Sequence, residues 1–166
     1  MRKLSVLLIQ CHSGWRPQEL GFIKLKDVDL EKWSFKGGMK TDAGTDRIVP
    51  IHSKIRPLVD KKYKEAESLE SDYLFNYLES TRGRGNISLT YERYKKCFER
   101  IKETLKLNAE HRPHDGRKHF VTLAKKYGVD EYAIKYIVGH SISDMTEKVY
   151  TKREFNWLKN EMEKIK

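Results

Sequence analysis

At 166 residues the chain is long enough to bury one sizeable core and too short for two, and 38% hydrophobic with 35% charged residues describes a folded globular domain rather than a disordered chain. The 34 Lys and Arg against 24 Asp and Glu leave a formal charge of +10, which favours a polyanionic partner, either nucleic acid or an anionic membrane surface. The longest apolar run, residues 4–11, is broken by Ser5 and Gln10, falls far short of the ~20 residues of a membrane span and lacks a small-residue cleavage site, so neither a spanning helix nor a signal peptide is expected.

Two cysteines, Cys11 and Cys97, lie far apart inside apolar helical patterns and read as packing residues in a reducing, cytoplasmic setting. The chain enters its first apolar segment within a few residues of Met1, as if cut from a larger protein at a linker. The expectation is a single domain over 1–166, a fragment whose N-terminal domain is absent.

Residues 3–12 carry Leu4, Leu7, Leu8 and Cys11 at i, i+3, i+4 and i+7, with Val6 and Ile9 widening the stripe, which predicts an amphipathic helix ended by Ser13-Gly14. In Gly14-Trp15-Arg16-Pro17-Gln18-Glu19-Leu20, Pro17 suits the first position of a new helix and leaves Arg16 at its mouth. A guanidinium there either shares an anion with free backbone N–H groups or is a plain surface cation. The period then shortens: residues 27–30, 33–41 and 46–51 read as three short strands of a small antiparallel sheet, with Asp-Ala-Gly-Thr as the second hairpin loop. Lys40 lies just before that tip, either reaching out of the sheet to an anion or serving as a solvated edge lysine.

Ser53 can cap a helix running to about residue 67, with Ile55, Leu58, Val59 and Tyr63 inward. Tyr73-Leu74-Phe75 reads as a short buried piece, and Arg82 and Arg84 sit in a basic loop, either disordered or touching phosphates. Thr90 can cap a helix to about residue 106, with Tyr94, Cys97, Phe98, Ile101 and Leu105 on one face and Lys95, Lys96 and other cations elsewhere, either a solvated face or one that lies along DNA. After Pro113 a helix is predicted from His114 to Tyr127, closed by Gly128, with Phe120, Leu123, Ala124 and Tyr127 on its core face. Asp130 caps a second over 131–138, which Gly139 ends, and Ser141 or Ser143 starts a third that carries Tyr150. A charged tail helix over about 153–166 spaces Phe155, Leu158, Met162 and Ile165 as a narrow apolar seam that must dock on its own domain or on a neighbouring protomer.

The chemistry-bearing groups, in order, are Arg16, Lys40, His114, Arg117, His140 and Tyr150. The stretch from His114 to Tyr150 holds His, Arg, His and Tyr together, although with nine tyrosines in the chain any one of them is by default a packing residue. Glu19, one helical turn beyond Arg16, reads as a carboxylate that orients a neighbouring cation, the other reading being a plain solvated acid. His111, His114 and His119 cluster, but their spacings do not give the helical i, i+4 pair of a metal site, and no Gly-rich phosphate loop or zinc spacing is present, so no metal or other cofactor is expected.

With these boxes in order, the chain resembles the catalytic domain of tyrosine recombinases, the phage and mobile-element integrases. Gly14-Trp15-Arg16-Pro17-Gln18-Glu19-Leu20 matches the family's G-x-R-x-x-E-L box. Lys40-Thr41 with Arg47-Ile48-Val49-Pro50-Ile51 matches the β-hairpin lysine segment, His114-Asp115-Gly116-Arg117-Lys118-His119-Phe120 matches H-x-L-R-H-T-F in part, and Gly139-His140-Ser141 through Tyr150 matches the last box. Gly116 stands where the family usually has Leu, Lys118-His119 replaces His-Thr and Val138 replaces a Leu; these departures bear on packing rather than chemistry.

The resemblance implies an α+β fold, mostly helical with a small three-stranded antiparallel sheet, and a DNA strand transferase. Tyr150 would be the nucleophile forming a 3′-phosphotyrosyl link, Arg16 and Arg117 the phosphate clamp, Lys40 the general acid, His114 the general base or acid and His140 a phosphate hydrogen-bond donor. Both guanidiniums suit a phosphorus centre whose non-bridging oxygens gain charge. It further implies double-stranded DNA as partner, a tetramer on DNA with the tail passing to a neighbour, a monomer as the isolated fragment, no membrane, and a bacterial or phage-encoded, nucleoid-associated protein. A non-catalytic DNA-binding module of the same fold and a type IB topoisomerase-like relaxing enzyme remain as alternatives.

Overall fold

The computed structural model describes residues 2–39, 44–76, 88–142 and 155–166. Lys40, Arg82, Arg84 and Tyr150, with the basic loop 80–86, lie outside them. Ser141 and Ile142 are not helical, and the rest of the helix expected to carry Tyr150 is also outside.

Helix α1 (Arg2–Cys11) ends at Gly14, whose φ of +68° turns the chain and whose N–H bonds the Gln10 carbonyl at 3.0 Å. The buried face of α1 is not the predicted Leu4/Leu7/Leu8/Cys11 stripe: Leu8 is 38% exposed, while Val6, Ile9, Gln10 and then Ser13 turn inward. Apolar residues occur nearly all round this helix, so periodicity did not select a face; polar partners did. Gln10 Nε2 donates to the Trp15 carbonyl at 3.2 Å and Gln10 Oε1 accepts from the Tyr94 hydroxyl at 2.5 Å.

Helix α2 (Pro17–Leu20) leads to a short sheet of β1 (Val28–Asp29), β2 (Ser34–Gly37) and β3 (Arg47–Pro50), antiparallel in the order β1-β2-β3, with Phe35 opposite Val28 and Val49, and Gly37 opposite Arg47. The strands are shorter than the sequence suggests. Asp29 Oδ1 accepts from the N–H of Glu31 and of Lys32, an Asx turn that ends β1, and Trp33 at φ +57° belongs to that turn rather than to β2.

Helix α3 (Arg56–Ser68) follows a 3-10 turn, Ser53–Ile55, that His52 rather than Ser53 caps, its Nδ1 accepting from Lys54 N–H at 3.0 Å. Ser53 instead donates its hydroxyl to Glu163 of the tail at 2.5 Å. Helices α4 (Tyr91–Thr104), α5 (Asp115–Lys126) and α6 (Glu131–Val138) follow the predicted positions. Thr90 occupies the cap position of α4 without a side-chain bond, and Leu105 is 50% exposed rather than on the core face. Asp130 caps α6 through the N–H groups of Tyr132 and Ala133, and Gly139, at φ +67°, ends it.

Helices α1 and α5 pack together, with Trp15, Phe35, Phe120, Ile9, Leu20 and Tyr94 fully buried between helices and sheet. The approach is close at Gly116: a Cβ there would stand 2.4 Å from Gln10 Oε1, so the missing side chain leaves the space that the Gln10 amide fills. Tail helix α7 (Phe155–Met162) packs on β3 and α6 of its own domain, where Leu158, Met162 and Ile165 are buried. Within the single chain the tail thus takes the first of the two docking sites its seam allowed, its own domain, because the apolar seam finds β3 and α6 within reach. Polar latches complete it: Glu163 bonds Ser53 and Arg56, Glu161 accepts from Asp130 N–H, and His52 Nε2, with Nδ1 already accepting, donates to the Ile165 carbonyl at 2.8 Å. Among the described residues no helix is long and apolar enough to cross a membrane.

Candidate active site

Pro17, at the first position of α2, sets Arg16 at the helix mouth and Glu19 one turn on. Glu19 reaches back: Oε2 accepts from Arg16 N–H at 3.1 Å and Oε1 from Arg16 Nη1 at 2.8 Å. The other end of the Arg16 guanidinium donates from Nη2 to the Gly139 carbonyl at 3.3 Å. The Arg16 side chain remains 14% exposed, enough to meet an anion, whereas that of Glu19 is 1% exposed.

A carboxylate buried this deeply needs charge opposite it, and Arg47 supplies most of it. Its Nη2 and Nη1 donate to Glu19 Oε2 and Oε1 at 2.7 and 3.2 Å, and its guanidinium lies 3.9 Å above the Trp15 ring. Burial alone would raise the Glu19 pKa, but the Arg47 bonds and charge, with those of Arg16, bring it below its ordinary value. Arg47 was not among the candidates read from sequence. The clue available there was a cation two residues before Val49 in Arg47-Ile48-Val49-Pro50, hence on the same face of the strand; both are buried while Ile48 between them is exposed.

Arg117 enters from α5, buried, with Nη1 donating to the Gly14 carbonyl at 2.8 Å. Burial first, then the Arg16 charge, lowers its pKa to about 10, so it stays cationic at neutral pH. His114, in the cap position of α5, and His140, just after the Gly139 turn, are both exposed. Both imidazoles have pKa values below the ordinary one, through partial burial first and then the charges of Arg117 and, for both, Arg16. They are thus neutral near pH 7, each able to accept a proton or donate one hydrogen bond.

Four of the six candidate groups, Arg16, Arg117, His114 and His140, therefore share one electrostatic neighbourhood, with Glu19 and Arg47 beneath it; Lys40 and Tyr150 lie outside the described residues. Lys95 and Lys96 are exposed on α4, which packs against α1 and α2. Among the described residues no group of three or more His, Cys, Asp and Glu is placed to hold a metal ion.

This helix-and-sheet frame is the fold of tyrosine recombinase and integrase catalytic domains. The sequence model described as the Phage integrase family matches residues 1–156, and the chain belongs to that family. It is 32% identical over 167 residues to the tyrosine recombinase XerA of Thermococcus kodakarensis, covering 99% of this chain and 56% of that protein. XerA of Pyrococcus horikoshii is 31% identical, over 100% of this chain and 55% of its own. The chain thus spans about half the length of the curated relatives it matches.

Among solved structures, the Tn1549 transposon integrase in complex with circular intermediate DNA superposes with a TM-score of 0.69 at 22% identity, over 97% of this chain and 57% of the other. The integrase from mycobacterium phage Brujita gives 0.69 at 18%, over 99% and 52%. At such identities the likeness is one of fold.

Proposed function

We propose that the protein is a site-specific DNA recombinase or integrase that cuts and rejoins duplex DNA through a tyrosyl intermediate, needing no metal or other cofactor. The observation that carries this reading is the convergence of Arg16 and Arg117 with two neutral imidazoles, His114 and His140. Attack on a phosphodiester passes through five-coordinate phosphorus with added charge on the non-bridging oxygens, and preplaced guanidiniums meet that charge without reorganising.

In this scheme the Tyr150 oxygen bonds to phosphorus as the P–O5′ bond breaks, leaving a 3′-phosphotyrosyl link and a free 5′-hydroxyl. His114 accepts the phenol proton, whose ordinary pKa near ~10 makes help necessary, and Lys40 protonates the departing O5′. His140 hydrogen-bonds the phosphate. Reversal, with the hydroxyl of another strand attacking the tyrosyl phosphate, gives strand transfer. Double-stranded DNA is the partner, which the +10 formal charge supports, with Arg82, Arg84, Lys95 and Lys96 as further phosphate contacts. Exchange between two duplexes requires several protomers, a tetramer on DNA.

The test is covalent capture. The protein is incubated with nicked duplexes of random central sequence, and complexes that survive denaturing detergent are collected and sequenced. Wild type is expected to retain DNA and Tyr150→Phe none. Duplex binding without covalent retention would leave only a DNA-binding role, and retention by Tyr150→Phe would displace Tyr150 as nucleophile.

A further inference from the structure

Every nitrogen of the Arg47 guanidinium is committed inside the protein. Nε donates to the Ile137 carbonyl at 2.9 Å, Nη1 to the Gly44 carbonyl at 2.8 Å and to Glu19, and Nη2 to Glu19. Its side chain is 5% exposed, so it does not itself meet DNA. Two of these partners lead to the candidate site. Glu19 carries Arg16 through the bonds at 2.8 and 3.1 Å, while Ile137 lies two residues before Gly139, whose carbonyl accepts from the far side of Arg16 and whose successor is His140. Arg16 is thus braced on both sides by groups that Arg47 fastens.

We infer that Arg47 is a positioning residue for strand cleavage: it sets the placement of the Arg16 guanidinium and of the Gly139-His140 turn at the scissile phosphate without touching the substrate. The inference rests on the cleavage reading above. Its chemistry needs arginine. A planar fork can bond Glu19 in two places, reach both carbonyls and stack on Trp15 at once, whereas an ammonium neutralises Glu19 and can do little of the rest.

Backbone supports the same reading. A Cβ on Gly38 would lie 2.4 Å from Arg47 Nη1 and 1.7 Å from the Gly44 carbonyl, and one on Gly139 would lie 2.8 Å from Gly44 Cα. Glycine at these positions leaves room for the fork to bond backbone on both sides. If stability alone were at stake, a buried ion pair would be a weak device, since apolar replacements often serve as well.

The experiment uses Arg47→Lys, which keeps a charge opposite Glu19, on DNA recovered by covalent capture. The variant is expected to fold and to bind that DNA within roughly threefold of wild type while forming adduct at least ~100-fold more slowly, the scale of a small misplacement of reacting groups. A second substrate carries a methylphosphonate at the scissile position, which removes the charge the guanidiniums meet; on it the deficit relative to wild type is expected to shrink below ~10-fold. A purely structural defect would slow both substrates alike. Should Arg47→Lys not fold, the neutral double variant Glu19→Gln/Arg47→Gln is expected to fold and show the same substrate split. Near-wild-type rates on the phosphate, equal deficits on both substrates, or loss of the fold in both variants would each overturn the inference. Absence of any wild-type adduct would instead sink the cleavage reading itself.

Discussion

The Arg117 guanidinium donates to the Gly14 carbonyl at 2.8 Å, joining residues 103 positions apart. Gly14 presents that carbonyl because its φ is +68°, and a Cβ there would stand 2.6 Å from Phe120 Cδ1. Gly14→Ala therefore combines left-handed strain with overpacking and is expected to cost about 3 kcal/mol in urea unfolding. A loss below about 1 kcal/mol would mean that the turn relaxes freely.

Arg16→Ala should cripple cleavage with Tyr150 in place. By analogy with the loss of one donor to a developing oxyanion, adduct formation is expected to slow by about 10²–10³, with duplex binding reduced far less. Full activity in this variant would remove Arg16 from the phosphate clamp.

The two imidazoles report the same cluster. Both His114 and His140 are depressed in part by the Arg16 charge, so Arg16→Ala is expected to raise both titration midpoints, followed by NMR of the ring protons. Because their folded values lie below the unfolded one, near ~6.5, acidification through that value protonates the unfolded chain first and the fold loses stability as pH falls. Midpoints that stay put in the variant would place the imidazoles away from Arg16.

Glu19 acts at lower pH with the same sign, although there it is the charged form that the fold favours. Its folded pKa is depressed, so the stability it contributes is present above the unfolded value, near ~4.3, and is lost as pH falls through the folded one. Asp115, held at about 2 chiefly by the Arg112 N–H, adds a loss of the same sign between the ordinary carboxylate range and about 2. Glu19→Gln leaves Arg47 buried without its counter-charge and should cost about 3–5 kcal/mol at pH 7, with a shallower further loss between pH 5 and 3 than wild type. Denaturant titrations across pH test both parts.

Met162 is fully buried, where α7 meets the body of the domain. Met162→Ala is expected to destabilise the whole domain by about 2–5 kcal/mol in a single transition. Early melting of the tail alone, with the remainder unmoved, would show that its docking is separable from the core.

Legibility in the sequence followed the locality of each cause. Helix α6 could be bounded from Asp130 and Gly139 because a cap and a left-handed stop are properties of neighbouring residues, and the three strands were visible from the change of period. The buried face of α1 was not, since it depends on Tyr94 and Trp15, far away in the chain. Ser53 has the chemistry of a cap, yet its partner is Glu163, 110 residues on. Arg16 and Arg117 were readable as phosphate-type cations from their boxes, whereas Arg47 was passed over: its role comes from what surrounds it, Glu19, Trp15 and two backbone carbonyls drawn from three parts of the chain.

The meeting of Gln10 and Gly116 carries one more consequence. The family's usual Leu at residue 116 would collide with an amide that bonds both Trp15 and Tyr94, while a smaller residue at 10 opposite glycine would leave a hole and two polar groups without partners. Neither side chain can change size alone without clash or cavity. The two residues form a single packing unit, each fixed by the size of the other.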